Sequence, residues 1–215
     1  MSPRQQTISA QDLIRRVVNY YAQISSYRDT GVVRQWFKPK QPPLETNFST
    51  SFRKPSLFRF EFSSPHPYPP LRHIITRHVI GSDGATAYFL RKEHRGPARL
   101  EIEENLSIAV AGATGISSGS AHTIGRLLLP EIGGLSLMDL VGPFRKRQCR
   151  LNGVTCYWIS AKHPRGPRLE IWIEKKTLLL RKLRHNAGDV PGEELRQNIR
   201  VNRPLKKSIF RVPKK

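Results

Sequence analysis

The chain has 215 residues, of which 38% are hydrophobic and 25% charged, proportions that indicate a protein with a buried core rather than a disordered one. Lysine and arginine number 37 against 16 for aspartate and glutamate, so the formal net charge is +21. Such a field attracts polyanions such as nucleic acid, anionic lipid head groups or acidic glycans. No stretch reaches the ~20 apolar residues of a membrane-spanning helix. Because the first residues lack an apolar signal segment, we expect either a cytoplasmic protein or one whose signal has been removed.

The first predicted element is an amphipathic helix over about residues 9–25. Ser9 followed by Asp12 resembles a capping box, with aspartate in place of the usual glutamate. Apolar side chains then recur at intervals of three and four residues, namely Leu13, Val17, Tyr20, Tyr21 and Ile24. We expect this stripe to pack on a sheet, and a helix lying on a membrane surface is the alternative.

Alternating apolar and polar residues predict antiparallel strands in the first half of the chain. The run FRFEF places Phe58, Phe60 and Phe62 on one face and Arg59 and Glu61 on the other. A Gly-Ser-Asp-Gly turn then separates two strands of a hairpin. The extended segments are predicted at about 27–37, 44–53, 57–63, 72–80 and 85–91.

The middle of the chain has a different composition, rich in alanine, glycine and serine. We predict a helical insert over about residues 104–129, with short helices at about 104–112 and 119–129 and a flexible connection between them. Pro130 ends the second helix. The glycine-rich connection lacks the Gly-Lys-Ser/Thr sequence of a phosphate-binding loop.

In the second half of the chain, apolar and polar residues again alternate with a period of two, which predicts further strands. Because a helix and a set of strands precede the helical insert and more strands follow it, the order indicates an α+β protein with an antiparallel sheet. The later strands are predicted at about 141–150, 154–161, 168–174, 177–185 and 197–203, with a short extended tail at 208–212.

Two cysteines, Cys149 and Cys156, flank an Asn-Gly turn. A two-residue turn at Asn152 and Gly153 would place the cysteines opposite each other across a hairpin. Directly opposite residues in a hydrogen-bonded pair have Cα atoms ~5.5 Å apart, a separation that a disulfide tolerates. A disulfide is therefore expected in an oxidising compartment, and two reduced, buried thiols are the alternative.

No constellation of residues indicates catalysis or metal binding. The seven histidines are scattered and no carboxylate cluster accompanies them, so we expect neither a metal nor a cofactor. Ser117, Ser118 and Ser120 precede His122, but they lack the spacing of a nucleophile elbow, and we expect no enzyme. Nucleic acid is a less favoured partner, because the phenylalanine face contains no basic residues to interleave with stacked bases.

Six segments of the chain together resemble a family of bacterial envelope proteins. They are SYRDTG (26–31), FSTSFRKPSLFRFEF (48–62), SDG (82–84), AGATGISSGSAHTIGRLLLPE (111–131), LNGVTCYWI (151–159) and LEIWIEKKTLLLRKL (169–183). In this order they resemble the LolA-like, outer-membrane lipoprotein-sorting superfamily, in particular a periplasmic branch of it. The resemblance implies one domain over residues 1–215, in which an antiparallel sheet of about ten strands curls into an incomplete barrel and helices cover its concave face. It also implies a place in the periplasm or cell envelope.

In the best-known members of that superfamily the cavity holds acyl chains, so the resemblance implies a non-enzymatic protein that binds a lipid or an acylated protein. Arginine and lysine at the rim would hold anionic head groups, and an anionic membrane surface is a further expected partner. A packed interaction or sensing module of the same fold, without a ligand, is the alternative. The expected cavity residues are Phe48, Phe52, Phe58, Phe60, Phe62, Leu169, Ile171 and Ile173, with Ile108, Val110, Leu127 and Leu128 closing it.

Overall fold

Eleven β-strands form one antiparallel sheet in the computed structural model, which describes residues 8–38, 40–164, 166–187 and 190–213. Residues 1–7, on which the expectation about a signal segment depends, lie outside this part of the chain. The strands are β1 Ser26–Gln35, β2 Leu44–Arg53, β3 Leu57–Pro65, β4 Ile75–Asp83, β5 Ala87–Lys92, β6 Ala98–Glu103, β7 Val141–Leu151, β8 Val154–Lys162, β9 Arg168–Glu174, β10 Leu180–Ala187 and β11 Val190–Val201.

The sheet is open, with the spatial order β6-β5-β4-β3-β2-β1-β11-β10-β9-β8-β7. Each half of the sheet is a meander of neighbouring strands, and the pairing of β1 with β11 joins the two halves. Because β6 and β7 are the two edges and do not pair with each other, the barrel is incomplete. This confirms the predicted α+β class with one curved antiparallel sheet.

Within the described part of the chain, three α-helices pack on one side of the sheet, α1 Ala10–Gln23, α2 Leu106–Thr114 and α3 Ser120–Leu128. Ser9 begins α1 as predicted, because its side-chain oxygen accepts a hydrogen bond from the backbone N–H of Asp12 at 3.0 Å. Gly119 begins α3 with a φ of 84°, a left-handed conformation that glycine adopts without strain. Among the described residues, no helix combines the length and the hydropathy needed to cross a lipid bilayer.

The core lies between the concave face of the sheet and the three helices. Apolar side chains from both halves of the sheet, such as Phe52, Ile80 and Ile171, contribute to a single cluster with Val17 of α1 and Val110 of α2. Each fully buried side chain of this size stabilises the fold by roughly 1.5–3 kcal/mol relative to an exposed one. The helices are therefore held to the sheet chiefly by apolar packing.

The strand predictions were wrong in three places. Strand β6 was not predicted. It is a short edge strand whose Ile102 is 62% exposed, so the alternation of apolar and polar residues along it does not correspond to a buried face. Strand β11 begins at Val190 rather than near residue 197. Its first half was missed because Glu194 and Arg196, rather than apolar residues, occupy its interior face. The tail that was expected to be extended contains a 3-10 helix at Lys207–Phe210, with Phe210 buried.

Candidate ligand-binding site

The phenylalanine face predicted from the sequence forms a continuous row of rings under the helices. The ring centroids of Phe48 and Phe60 are 5.4 Å apart, and those of Phe60 and Phe62 are 5.8 Å apart. Phe52 and Phe58 are fully buried in the same cluster. Gly31 permits this arrangement, since any side chain there would collide with the ring of Phe48. With the helices in place, this face is filled by the protein's own side chains.

The other residues predicted to contact a ligand fall into three groups. Strand residues Ile171 and Ile173 and helix residues Val110, Leu127 and Leu128 are buried in the same core. Leu169 is half-buried and, with Leu127, lines an open cavity beside that core. Ile108 is 42% exposed and lies on the outer side of α2, next to Gly133 and Gly134.

The cavity beside the core has a volume of about 360 Å³, within the range of ~300–1,000 Å³ typical of small-molecule sites. It lies between α3 and strands β9 and β10, and it is bordered by the end of α2 and by the loop before the 3-10 helix Leu137–Asp139. Its apolar lining consists of Val18, Leu127, Leu135, Leu137, Leu169 and Leu183. Sequence reasoning missed most of these residues, because they come from five separate segments that only the tertiary fold brings together.

Polar groups lie at defined points of the cavity wall. The ring Nε2 of His122 lies 2.8 Å from the carbonyl oxygen of Gly133, and Arg126 donates to the carbonyl oxygen of Ile132 at 2.6 Å. These contacts fix the loop that borders the cavity. His185 also lines the cavity; its Nδ1 is buried without a hydrogen-bond partner, and burial lowers the pKa of its imidazole. A neutral imidazole here can donate to, or accept from, a polar group of a ligand.

A buried ion cluster lies next to the cavity, and sequence reasoning did not identify it. Arg196 of β11 is 1% exposed and donates to Asp29 of β1 at 2.6 Å and to Glu194. Asp29 also accepts from the Tyr27 hydroxyl at 2.6 Å and from the backbone N–H of Thr50 at 3.1 Å. The cluster thus joins three central strands through charge-assisted hydrogen bonds.

The ion cluster also connects the sheet to α3. The second terminal nitrogen of Arg196 donates to the carbonyl oxygen of Ser120 at 2.9 Å, and the guanidinium lies 4.8 Å from the ring centroid of Phe48. Burial raises the pKa of the Glu194 carboxyl, although Arg196 and Thr123 act in the opposite direction. Burial alone would lower the pKa of Arg196, but Glu194 and Asp29 raise it, so the guanidinium stays charged.

The residues that suggested chemistry in the sequence are used to stabilise the backbone. Ser120 donates from its hydroxyl to the carbonyl oxygen of Ser117 at 2.7 Å, and Ser117 donates to that of Thr114 at 3.4 Å.

Cys149 and Cys156 are paired in register across β7 and β8, as the Asn-Gly turn predicted, and both are free thiols. Within the described ranges, no group of His, Cys, Asp and Glu side chains is arranged to hold a metal ion.

Comparison with known proteins shows a shared fold without sequence similarity. No protein-family model and no curated protein sequence matches the chain. LprF of Mycobacterium bovis superposes with a TM-score of 0.52 at 11% identity, covering 92% of this chain and 94% of that one. The lipoprotein LppX of Mycobacterium tuberculosis gives 0.50 at 10% identity, covering 91% and 96%.

A LolA superfamily protein of Nitrosomonas europaea is also similar, with a TM-score of 0.38 at 8% identity over 96% of this chain and 99% of that one. LprF and LppX share with this chain the fold that the resemblance implied, an incomplete antiparallel barrel with helices over its concave face. At these identities the likeness concerns the fold alone.

Proposed function

We propose that this chain is a non-enzymatic protein of the bacterial envelope that binds one lipid or acylated molecule in the cavity between α3 and strands β9 and β10. The proposal depends chiefly on the cavity itself, which is about 360 Å³ in volume and has an apolar part formed by five leucines and Val18. Each acyl methylene buried there would contribute ~0.8 kcal/mol to binding. The LolA-like fold and the likeness to the lipoprotein LppX support a place in the envelope.

The polar groups of the cavity wall support an amphipathic ligand rather than a purely apolar one. Leu127, Leu169 and Leu183 would pack on the acyl chain of the ligand. The imidazole of His185 would form a hydrogen bond with a hydroxyl, ester or phosphate oxygen of the ligand. The overall charge of +21 favours an anionic head group at the mouth. The same charge would give weak, sequence-independent binding to nucleic acid, which is the less favoured partner.

The phenylalanine row would extend the cavity when α2 and α3 move away from the sheet. In that open form the residues expected from the sequence, from Phe48 and Phe62 on the sheet to Val110 and Leu128 on the helices, would contact a longer chain. Such a movement would break the hydrogen bond from Arg196 to the carbonyl oxygen of Ser120, so α3 would leave the ion cluster. In the closed form the ligand occupies only the side cavity.

A pair of glycine substitutions in α2 and its C-cap tests the cavity. Gly115 is exposed at the cavity wall, adopts helical dihedral angles and has no atom within 4 Å of the position of a Cβ atom, so Gly115→Phe would narrow the cavity without a clash at that position. Gly112 has the same open surroundings but lies away from the cavity wall, and Gly112→Phe is the matched control. We expect Gly115→Phe to lose binding of a fluorescent fatty acid at least about tenfold, because a ring at the cavity wall would take the place of several acyl methylenes.

The two variants distinguish the proposal from a packed module of the same fold. The filled phenylalanine row is the observation that favours such a module. If wild type, Gly115→Phe and Gly112→Phe bound the fatty acid with equal affinity, the side cavity would not be the binding site. No affinity for any of the three proteins would favour the packed interaction or sensing module.

A further inference from the structure

The outer surface of the sheet presents a row of four side chains across strands β7 to β10. Trp158 of β8 lies directly opposite Trp172 of β9, Arg147 is opposite Trp158, and Lys182 is opposite Trp172. Both tryptophans alternate with fully buried isoleucines of the core, so the indoles are on the side of the sheet that the helices do not cover. We call Arg147, Trp158, Trp172 and Lys182 the indole face.

Each indole of this face carries a cation over its ring. The Arg147 guanidinium carbon lies 4.6 Å from the centroid of the Trp158 ring, and the Lys182 ammonium nitrogen lies 5.0 Å from that of Trp172. These cation–π contacts keep two positive charges beside two half-buried rings. A nucleic-acid base would need an open ring face on which to stack, so the arrangement disfavours single-stranded nucleic acid.

The surroundings of the indole face are basic. The Glu174 carboxylate forms an ion pair with Arg181 at 2.5 Å, and the Glu193 carboxylate forms one with Lys182 at 2.6 Å. Glu170 lies opposite Arg184 in the strand register. Four further basic side chains next to the indole face are exposed to solvent, namely Arg145, Lys162, Arg168 and Arg184. The net charge of this surface is therefore positive.

We propose that the indole face docks the protein on a membrane surface that carries anionic phospholipid head groups. Indole rings favour the interface between head groups and acyl chains, where an apolar ring and a polar N–H are both accommodated. Basic side chains near an anionic leaflet contribute ~1 kcal/mol each, and phosphate groups complement the guanidinium groups of this surface. The proposal does not depend on the cavity, which lies on the opposite side of the sheet.

Co-sedimentation with lipid vesicles tests this docking surface. The intact chain is mixed with vesicles of phosphatidylcholine alone or with 30% phosphatidylglycerol, a composition chosen to give a negative surface. We expect binding only to the anionic vesicles, with a steep fall as salt is raised because the attraction is screened. The double variant Arg145→Glu/Arg147→Glu should bind them at least about tenfold more weakly, since two favourable charges become unfavourable.

The matched control reverses two arginines elsewhere on the same side of the sheet. Arg28 and Arg200 are exposed and lie opposite each other on β1 and β11, away from the indole face. Arg28→Glu/Arg200→Glu makes the same change in net charge, and we expect it to lower vesicle binding by less than about threefold. Circular dichroism of all variants would establish that each is folded.

Tryptophan fluorescence supplies a second readout that net charge does not affect. With brominated anionic lipids, we expect quenching in the wild type that falls in a Trp158→Phe/Trp172→Phe variant, which leaves Trp36 as the remaining indole. Equal loss of vesicle binding in both charge-reversal variants would contradict the proposal, as would unchanged quenching. Tight binding of single-stranded DNA that competes with the vesicles and depends on Trp158 would replace the membrane by nucleic acid and overturn it.

Discussion

The side chain of Arg196 is fully buried, and its acceptors are two carboxylates, a threonine hydroxyl and a backbone carbonyl. The sequence pattern predicted an apolar concave face, and Arg196 with Glu194 interrupts it on β11. The interruption was not predictable locally, because Asp29 is 167 residues away along the chain and only the pairing of β1 with β11 brings it to Arg196.

Replacing Arg196 with methionine should destabilise the fold strongly. The substitution leaves Asp29 and Glu194 buried without their cation, which typically costs about 3–5 kcal/mol in the free energy of unfolding. Arg200→Met, on the exposed part of the same strand, should change it by less than about 0.5 kcal/mol. Urea denaturation measures both, and a loss of less than about 1 kcal/mol in Arg196→Met would contradict the importance of the cluster.

The pH dependence of stability should contain a contribution from His78. Its ring lies 4.6 Å from Phe62 and 5.8 Å from Phe89, and burial together with the nearby Arg91 lowers its pKa from 6.5 to about 4. The unfolded chain takes up the proton first, so the stability contributed by neutral His78 is fully present above pH 6.5 and is lost as the pH falls toward 4.

His78→Phe should therefore lose less stability than the wild type on acidification. Between pH 7 and pH 5 we expect the difference in unfolding free energy to be about 1–2 kcal/mol, measured by urea denaturation at each pH. His94→Phe, at an exposed position, is the control and should follow the wild type. Identical pH profiles for all three proteins would show that His78 titrates normally in the folded state.

At the scale of secondary structure, local patterns predicted the helices and most strands well. The helix begun by Ser9 and the hairpin turns at Asp83-Gly84 and Asn152-Gly153 depend on interactions within a few residues, so they can be inferred from short segments. The cavity could not be inferred, because Leu127, Leu169 and Leu183 belong to three elements whose approach depends on the order of strands in the sheet.

The hairpin of β7 and β8 should show two cysteines of unequal reactivity. Cys149 is half-buried, whereas burial and the neighbouring Cys149 raise the pKa of the Cys156 thiol from 9.0 to about 11. We expect a thiol reagent to label Cys149 first and Cys156 slowly. Because the thiolate is the reactive form, the labelling rate of Cys156 should rise about tenfold per pH unit between pH 8 and pH 10. Cys149→Ser and Cys156→Ser assign the two phases, and equal rates would contradict the burial of Cys156.

The disulfide expected from the register stays a prediction for an oxidising compartment. Because Cys149 and Cys156 are already opposite each other, oxidation would need no change of strand register. Air oxidation followed by intact-mass measurement would reveal it as a loss of two hydrogens, and the single cysteine variants would form no such intramolecular bridge.

The whole molecule combines a basic outer surface with an interior that is largely filled by its own side chains. Charge and composition predicted the attraction for anionic partners, but they could not locate it, since basic residues are spread over the entire chain. The fold places Trp158 and Trp172 outside the sheet and the apolar cavity inside it. A ligand cavity and a membrane-docking face would thus lie on opposite sides of one sheet.

The measurement that bears most directly on ligand binding is mass spectrometry of small molecules extracted from protein purified without detergent. We expect close to one acylated molecule per chain in the wild type and in Gly112→Phe, and a marked depletion in Gly115→Phe. An empty wild-type protein that also takes up no phospholipid or fatty acid on incubation would contradict the proposed function. The fold would then serve as a packed module that binds another protein.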